Sequence, residues 1–349
     1  MLDKLLLQAR SMGASDLHLT PVSVPMVRVD GSLQPLQNEF ISREKLEQAL
    51  LALLPEQEKR QLLQKGEIDT AFSDSLQERC RLNIYRLGGG YAAAIRLLPK
   101  DIPDCNSLGM PQIISQLAEC SRGLLLVTGA TGSGKSTTLA CIIDEINSTR
   151  NAHVITLEDP IEYLHRHKQS VVTQREIVTD TDSYVTGLRA SLRQAPDVIL
   201  LGEMRDYETI SIAMTAAETG HLILSTLHTV GAANTIDRVI DAFPPNQQQQ
   251  IRTQLAMVLD AVISQQLIPT VDGGVQPAFE IMFLNNAIRN MIRESKIHQI
   301  DGIIATSQEE GMISMDNSLI KLYRDGVISR ENAIAYSSNS ELMEKKLAR

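Results

Sequence analysis

The stretch GATGSGKST, residues 129–137, limits the possible folds of this chain more than any other. It fits G-x-x-x-x-G-K-[ST] in full, follows the apolar run LLLVT and precedes TTLACIIDEIN, which reads as a helix. Strand, glycine-rich turn and helix in that order curl the backbone so that successive N–H groups face an anion. The helix N-terminus adds its partial positive charge. Gly132 and Gly134 permit the curl, Lys135 is placed to reach the β- and γ-phosphates of ATP, and Ser136 to ligate Mg²⁺. The expected nucleotide contacts are Gly129, Ala130, Thr131, Gly132, Ser133, Gly134, Lys135, Ser136 and Thr137.

Four short apolar runs at 124–128, 153–157, 198–201 and 222–226 alternate with helical segments. That order predicts an α/β domain built on a largely parallel sheet covered on both faces. Each run ends in residues with chemistry: the glycine-rich loop, Glu158-Asp159, Glu203 and His228. Ligands of open α/β sheets sit at the carboxyl ends of the strands, so four converging ends weigh more than any one. In ITLEDPIEYLH, the acids Glu158, Asp159 and Glu162 either orient an attacking water or form a solvated acidic loop. His228 is either a γ-phosphate sensor or a structural histidine. The strand of DVILLGEMRD poses a puzzle, because its acid, Glu203, comes after Gly202, one place later than the metal-site aspartate of an ordinary P-loop ATPase.

The 349 residues suggest two domains, and 43% hydrophobic residues suffice for real cores. A net charge of -9, 3% aromatics and no Trp give no electrostatic or stacking case for nucleic acid. The N-terminus MLDKLLLQAR does not read as a signal peptide, and no apolar stretch approaches the ~18–20 residues of a membrane span. Cys80, Cys105, Cys120 and Cys141 form no C-x-x-C pair, so reduced thiols are expected rather than a zinc site.

Residues 1–99 mix strands and helices. MVRVDGSLQPL signals a hairpin at its D-G turn, Pro55 interrupts a helical pattern, and a Gly88-Gly89-Gly90 turn joins two strands. The Pro-, Gly- and Asp-rich segment 100–111 is the expected linker, and 112–349 the second domain with a C-terminal helical region. NQQQQIRTQLAMVLDAVISQQLI carries Ile251, Leu255, Val258, Leu259, Val262 and Ile263 at helical spacing, which predicts one amphipathic helix.

Ordered strings along nearly the whole chain carry a resemblance: ASDLHLTP, MVRVDG, GEIDTAFS, the glycine-rich loop, LEDPIEY, PDVILLGEMRD, AAETGHLILSTLHT, FPPNQQQQIRTQLA, AIRNMIRE and GMISMDNSLIKLY. With these the chain resembles the type IV pilus motor ATPases of the secretion ATPase superfamily, and most closely the retraction ATPases, the PilT family. The resemblance implies a RecA-like P-loop ATPase domain behind a smaller N-terminal α+β, PAS-like domain. It implies that Gly-Glu is the normal end of the Walker B strand, with Glu203 in the Mg²⁺ site. Glu162 becomes the general-base candidate, Glu158 and Asp159 shape the metal and water site, and His228 matches the second histidine of the family's histidine box. Arg79, Arg81 and Arg96 match N-terminal-domain arginines that complete the site; the alternative is plain surface-strand arginines.

Departures are small. Ala130 stands where the loop usually has proline, Ala195 where an acid is frequent and Met291 where leucine is usual. SQQLIPTVDGG lacks the tetracysteine module of extension-type and type II secretion ATPases. The implied protein is a homo-hexameric ATP-hydrolysing motor for pilus retraction and twitching motility. It would be cytoplasmic and peripheral to the bacterial inner membrane through partners: a platform protein and other pilus motor ATPases. The rivals are a pilus-extension or secretion-type assembly ATPase, disfavoured also by the lack of a long N-terminal extension; a conjugation-type transport ATPase, disfavoured by the acidic balance and the pilus-type C-terminal strings; and a nucleotide-binding regulator without turnover.

Overall fold

Alternation of apolar and polar residues builds the first sheet. Along Arg79–Leu87, the side chains of Cys80, Leu82 and Ile84 are buried, while those between them are not. In the computed structural model this strand belongs to a six-stranded antiparallel sheet: β1 (Asp16–Leu19), β2 (Met26–Val29), β3 (Ser32–Pro35), β4 (Glu67–Ser73), β5 (Arg79–Leu87) and β6 (Gly90–Leu97). Their order is β3-β2-β1-β6-β5-β4. Helices Leu2–Ser11, Arg43–Leu51 and Glu56–Lys65 contribute Leu5, Leu6, Leu46, Leu50 and Leu62 to its core. Helix and helix are separated at Pro55, as its fixed φ and missing N–H require. Residues Met1–Asp101 form this compact unit, with Glu162–Leu164 grouped to it. The structure describes residues 1–29, 31–99, 101–105 and 108–348. Asp30 of the D-G turn, Lys100, Asn106 and Ser107 of the 100–111 segment, and Arg349 lie outside the described residues.

Arg10 ties the first unit together. It meets Asp74 and Glu78, each at 2.8 Å, and donates to the carbonyls of Leu98 and Arg79 at 3.0 and 3.1 Å. The Asp74 side chain is only 1% exposed and also accepts the N–H groups of Leu76 and Glu78. Truncating one partner strands a buried charge, which costs far more than the net worth of the pair. Arg10→Ala is therefore expected to destabilise this unit by about 3–5 kcal/mol. Urea unfolding checks it; a loss under about 1 kcal/mol, the value of a surface pair, would contradict the reading.

The second unit, Ile102–Ile161 with His165–Arg349, holds a seven-stranded sheet. Its strands are β7 (Gly123–Thr128), β8 (His153–Glu158), β9 (Val171–Glu176), β10 (Val198–Leu201), β11 (Leu222–Leu227), β12 (Leu259–Pro269) and β13 (Val275–Phe283). The order is β13-β12-β7-β11-β10-β8-β9, and β12–β13 is the antiparallel pair. The strands β7, β10 and β11 are buried at every position, as expected with helices on both faces. One face packs Leu139, Ile142, Ile143 and Ile146 of the helix Lys135–Thr149. The other packs Ile210, Ala213 and Met214 of Tyr207–Glu218 and Ile236, Val239 and Ile240 of Ala232–Asp241.

One expected element is corrected. The helix read through NQQQQIRTQLAMVLDAVISQQLI stops at Val258, and Leu259 starts β12. Val262 and Ile263 lie in a strand flanked by β7 and β13. Apolar residues at 258, 259, 262 and 263 satisfy helical spacing, but β-branched Val262 and Ile263 also suit a strand buried on both faces. Periodicity alone does not separate the two, and here the free edge of β7 decides.

Candidate active site

β7 delivers the chain to Gly129, where φ is +146° and an added Cβ would lie 2.4 Å from the Gln265 carbonyl oxygen. Gly134 has φ +88°, and a Cβ there would meet Gln265 Nε2 at 2.8 Å. Both positions exclude side chains on conformation and space together. Gln265, on β12, is the residue that sequence reasoning missed. Its Nε2 donates to the Ser133 carbonyl at 2.5 Å, and its Oε1 accepts from Thr138 Oγ1 at 2.7 Å. It is buried, so it holds the loop from beneath against the helix Lys135–Thr149. Lys135, only 8% exposed, donates to the carbonyls of Gly129 and Ala130 at 3.0 and 2.9 Å. Ala130, Thr131, Gly132 and Ser136 are exposed, so the loop presents an open backbone surface to a ligand.

The place of Gly202 explains the late acid. A Cβ at 202 would lie 2.8 Å from the Tyr184 hydroxyl, 3.3 Å from the Leu157 carbonyl oxygen and 3.5 Å from the Glu158 Cα. Gly202 N donates to Leu157 O at 2.8 Å, and Thr226 Oγ1 donates to Gly202 O at 2.6 Å. The glycine thus seals the end of β10 between β8 and β11, and a side chain with chemistry can only follow it. Glu203 does so, with its carboxylate 2.5 Å from the Arg205 guanidinium and 3.5 Å from His228 Nε2. The Glu203 side chain is 12% exposed and that of His228 is 52% exposed. Asp206, the last acid of GEMRD, caps the helix Tyr207–Glu218 by accepting from Thr209 N at 2.8 Å.

Glu158 is the last residue of β8 and accepts from Thr156 Oγ1 at 2.6 Å and Gln174 Nε2 at 3.2 Å. Asp159 is exposed beyond it. Tyr184 shows that these acids converge. Burial pushes its phenol pKa up, and the negative charges of Asp159, Glu203 and Glu158 push it further. No local motif announces Tyr184; it reaches the strand ends from the first turn of the helix Tyr184–Ser191. Glu158, Asp159, Glu203, His228 and the phosphate loop therefore belong to one unit. Glu162 is half-buried and groups with the first unit, which also carries the arginines.

Arg81 on β5 and Arg96 on β6 are direct cross-strand partners. Like charges placed so repel, and each has a carboxylate beside it: Asp69 at 2.5 Å from Arg81 and Asp16 at 3.1 Å from Arg96. Their side chains are 39% and 62% exposed. Arg289, by contrast, is taken up internally. It donates to Ala256 O at 2.5 Å and Met257 O at 3.3 Å and lies 3.7 Å from Asp260, closing the last turn of the helix Pro245–Val258. On the helix Asn286–Arg293, Arg289 thus has a structural role.

A parallel sheet whose strand ends gather a phosphate loop, convergent carboxylates and a histidine defines a RecA-like P-loop ATPase. The chain belongs to the family of type II/IV secretion system proteins, whose model matches residues 1–335. It is 45% identical over 320 residues to the twitching motility protein of Neisseria gonorrhoeae, across 91% of this chain and 86% of that one. It is 42% identical to a Pseudomonas aeruginosa protein named type IV pilus retractation ATPase PilT, across 95% and 96% of the two chains. The crystal structure of the pilus retraction motor PilT with bound ADP superposes with a TM-score of 0.92 at 43% identity, covering 99% of both chains. The fold class, the ATPase activity and the family read from the sequence are borne out.

Proposed function

We propose that this chain is the motor of type IV pilus retraction, the activity that underlies twitching motility. It works as a homo-hexameric ring on the cytoplasmic side of the inner membrane, docked through a platform protein and alongside other pilus motor ATPases. The observation that carries this reading is the agreement, over 99% of both chains, with a solved retraction motor, joined to a phosphate loop and strand-end acids kept in full. No helix among the described residues is long and apolar enough to cross a membrane, and docking is assigned to partners.

Within the site, the loop 129–137 cradles the phosphates of ATP, with Lys135 as the point charge. Ser136 and Glu203, with Glu158 and Asp159 near them, would hold Mg²⁺. Their chemistry fits this ion. Among the described residues no group of three or more His, Cys, Asp or Glu forms a protein cage for a metal, and Mg²⁺ is ordinarily held by one or two carboxylates together with substrate phosphates and water. When bound, it neutralises charge on the β- and γ-phosphate oxygens. Glu162 accepts the proton of the attacking water, and His228 senses the γ-phosphate. Arg81 and Arg96 offset charge on the transferring phosphoryl group, a role that their side-by-side, part-exposed placement supports.

Deleting the gene is expected to leave cells with excess surface pili that do not retract and with no twitching. Bald cells would instead assign the chain to pilus extension. A purified protein that binds ATP without releasing phosphate would make it a regulator.

A further inference from the structure

A row of buried polar side chains crosses β7, β12 and β13 level with the phosphate loop. Thr128 pairs with Ser264, and Ser264 pairs with Glu280. Thr128 and Ser264 are fully buried, and Glu280 is largely covered. All of them reach toward the segment that follows His228. Thr235 Oγ1 lies 3.4 Å from Thr128 Oγ1 and 2.7 Å from Thr229 Oγ1. Gly231 N donates to Ser264 Oγ at 2.9 Å, and Ala232 N donates to Glu280 Oε1 at 2.7 Å. The other oxygen of Glu280 accepts from Met315 N at 3.4 Å, the first residue of the C-terminal helix Met315–Arg324.

Glu280 therefore serves two helix N-termini at once: that of Ala232–Asp241, which begins four residues after His228, and that of Met315–Arg324. A carboxylate suits both, since each end exposes unpaired N–H groups and a positive dipole end. Burial pushes its carboxyl pKa up, opposed by the N–H of Ala232. Such a group is costly to keep in a core if stability is its only return, because a neutral capping residue would serve one helix as well. Only a forked acceptor spans both.

We propose that Glu280 is a positioning residue for ATP hydrolysis, holding the loop that carries His228 in register with the phosphate loop and fastening that loop to the C-terminal helices. The proposal rests on His228 as the phosphate sensor. It adds a route by which displacement of the C-terminal helices alters turnover: Met315 N, Glu280, Ala232 N and the segment from 228 to 231 form one connected path. Glu280 also lines a cavity of about 710 Å³ with Gly231, Asn234, Asp301, Asp316 and Lys346. The cavity is polar and roomy enough for water, so truncation of Glu280 leaves a space that water can fill.

The test is steady-state ATPase kinetics on the full-length protein and its E280A, E280D, E280Q, H228A and H228A/E280A variants, with melting temperatures alongside. E280A is expected to lower kcat by about 10- to 100-fold, the range for a misplaced catalytic group, with the KM for ATP unchanged. E280D, one methylene shorter, should lower kcat with a near-normal melting temperature. E280Q should fall between wild type and E280A in kcat, since its one amide oxygen still accepts from Ala232 N while its NH₂ cannot accept from Met315 N. The double variant should be no slower than H228A alone, because Glu280 acts through that loop. If E280A does not fold, E280D decides. Normal kcat in folded E280A or E280D, E280Q as slow as E280A, or effects of Glu280 and His228 that simply multiply would each overturn the proposal. H228A with normal kcat removes the sensor reading itself. A slow H228A beside a normal E280A removes only the role of Glu280.

Discussion

Lys135→Ala is expected to weaken ATP binding by about 10- to 100-fold while leaving the protein folded, the range for losing a hydrogen-bonded charge on a buried phosphate contact. The structure explains why the fold should survive. The backbone of the loop is held by Gln265, which bonds to Ser133 O and Thr138 Oγ1, and by the conformations of Gly129 and Gly134. None of these supports involves Lys135. Its amine instead rests on the carbonyls of Gly129 and Ala130, inside the curl of the loop. Truncation therefore removes charge from an otherwise intact anion site. Equilibrium binding of a fluorescent ATP analogue, with circular dichroism as the control for folding, measures the effect. Wild-type affinity in a folded variant would remove the phosphate-loop assignment, and with it every role placed around the loop.

The contrast between Lys135 and Gln265 shows what a sequence can and cannot say about such a site. The loop is legible because strand, glycines, lysine and helix are contiguous, and their chemistry is enforced by local backbone geometry. The four strand ends were legible for a related reason: short apolar runs alternating with helices leave few sheet topologies open. Gln265 was illegible because its function depends on β12 lying beside β7, and its partner Ser133 is 132 residues away in the chain. The same cause produced the helix expected through 262–263. Val262 and Ile263 satisfy a helical stripe, and only the edge of β7 makes them a strand. Arg81 and Arg96 were named by resemblance, but their facing positions across β5 and β6 come from strand register. Arg289, within AIRNMIRE, is likewise claimed by partners distant in the chain, the carbonyls of Ala256 and Met257. Local chemistry survives translation into structure when its partners are within a few residues. It fails when a helix end or strand edge elsewhere supplies the partner.

Glu162→Gln is expected to lower turnover by about 10²-fold or more and to leave ATP binding unchanged, as for loss of a general base. Glutamine keeps the size and hydrogen-bonding reach of glutamate but cannot take up a proton. Of the three glutamates near the phosphates by sequence, two are committed elsewhere. Glu158 accepts from Thr156 Oγ1 and Gln174 Nε2, bonds that hold its carboxylate at the end of β8. Glu203 lies against the Arg205 guanidinium and beside His228, a setting that suits it to a metal or its water shell. Glu162, the general base that the family resemblance implies, lies four residues past the end of β8. The comparison of E162Q with E158Q and E203Q therefore discriminates. E162Q should bind ATP normally and turn over slowly at saturating ATP. E203Q should lose its dependence on Mg²⁺ concentration in the normal range as well as turnover. E158Q should be the mildest, because an amide oxygen still accepts from Thr156. Near-normal phosphate release by E162Q, together with a collapse in E158Q, would move the base to Glu158 and leave the glycine before Glu203 explained as before, by the crowding of Tyr184 and Leu157 around position 202.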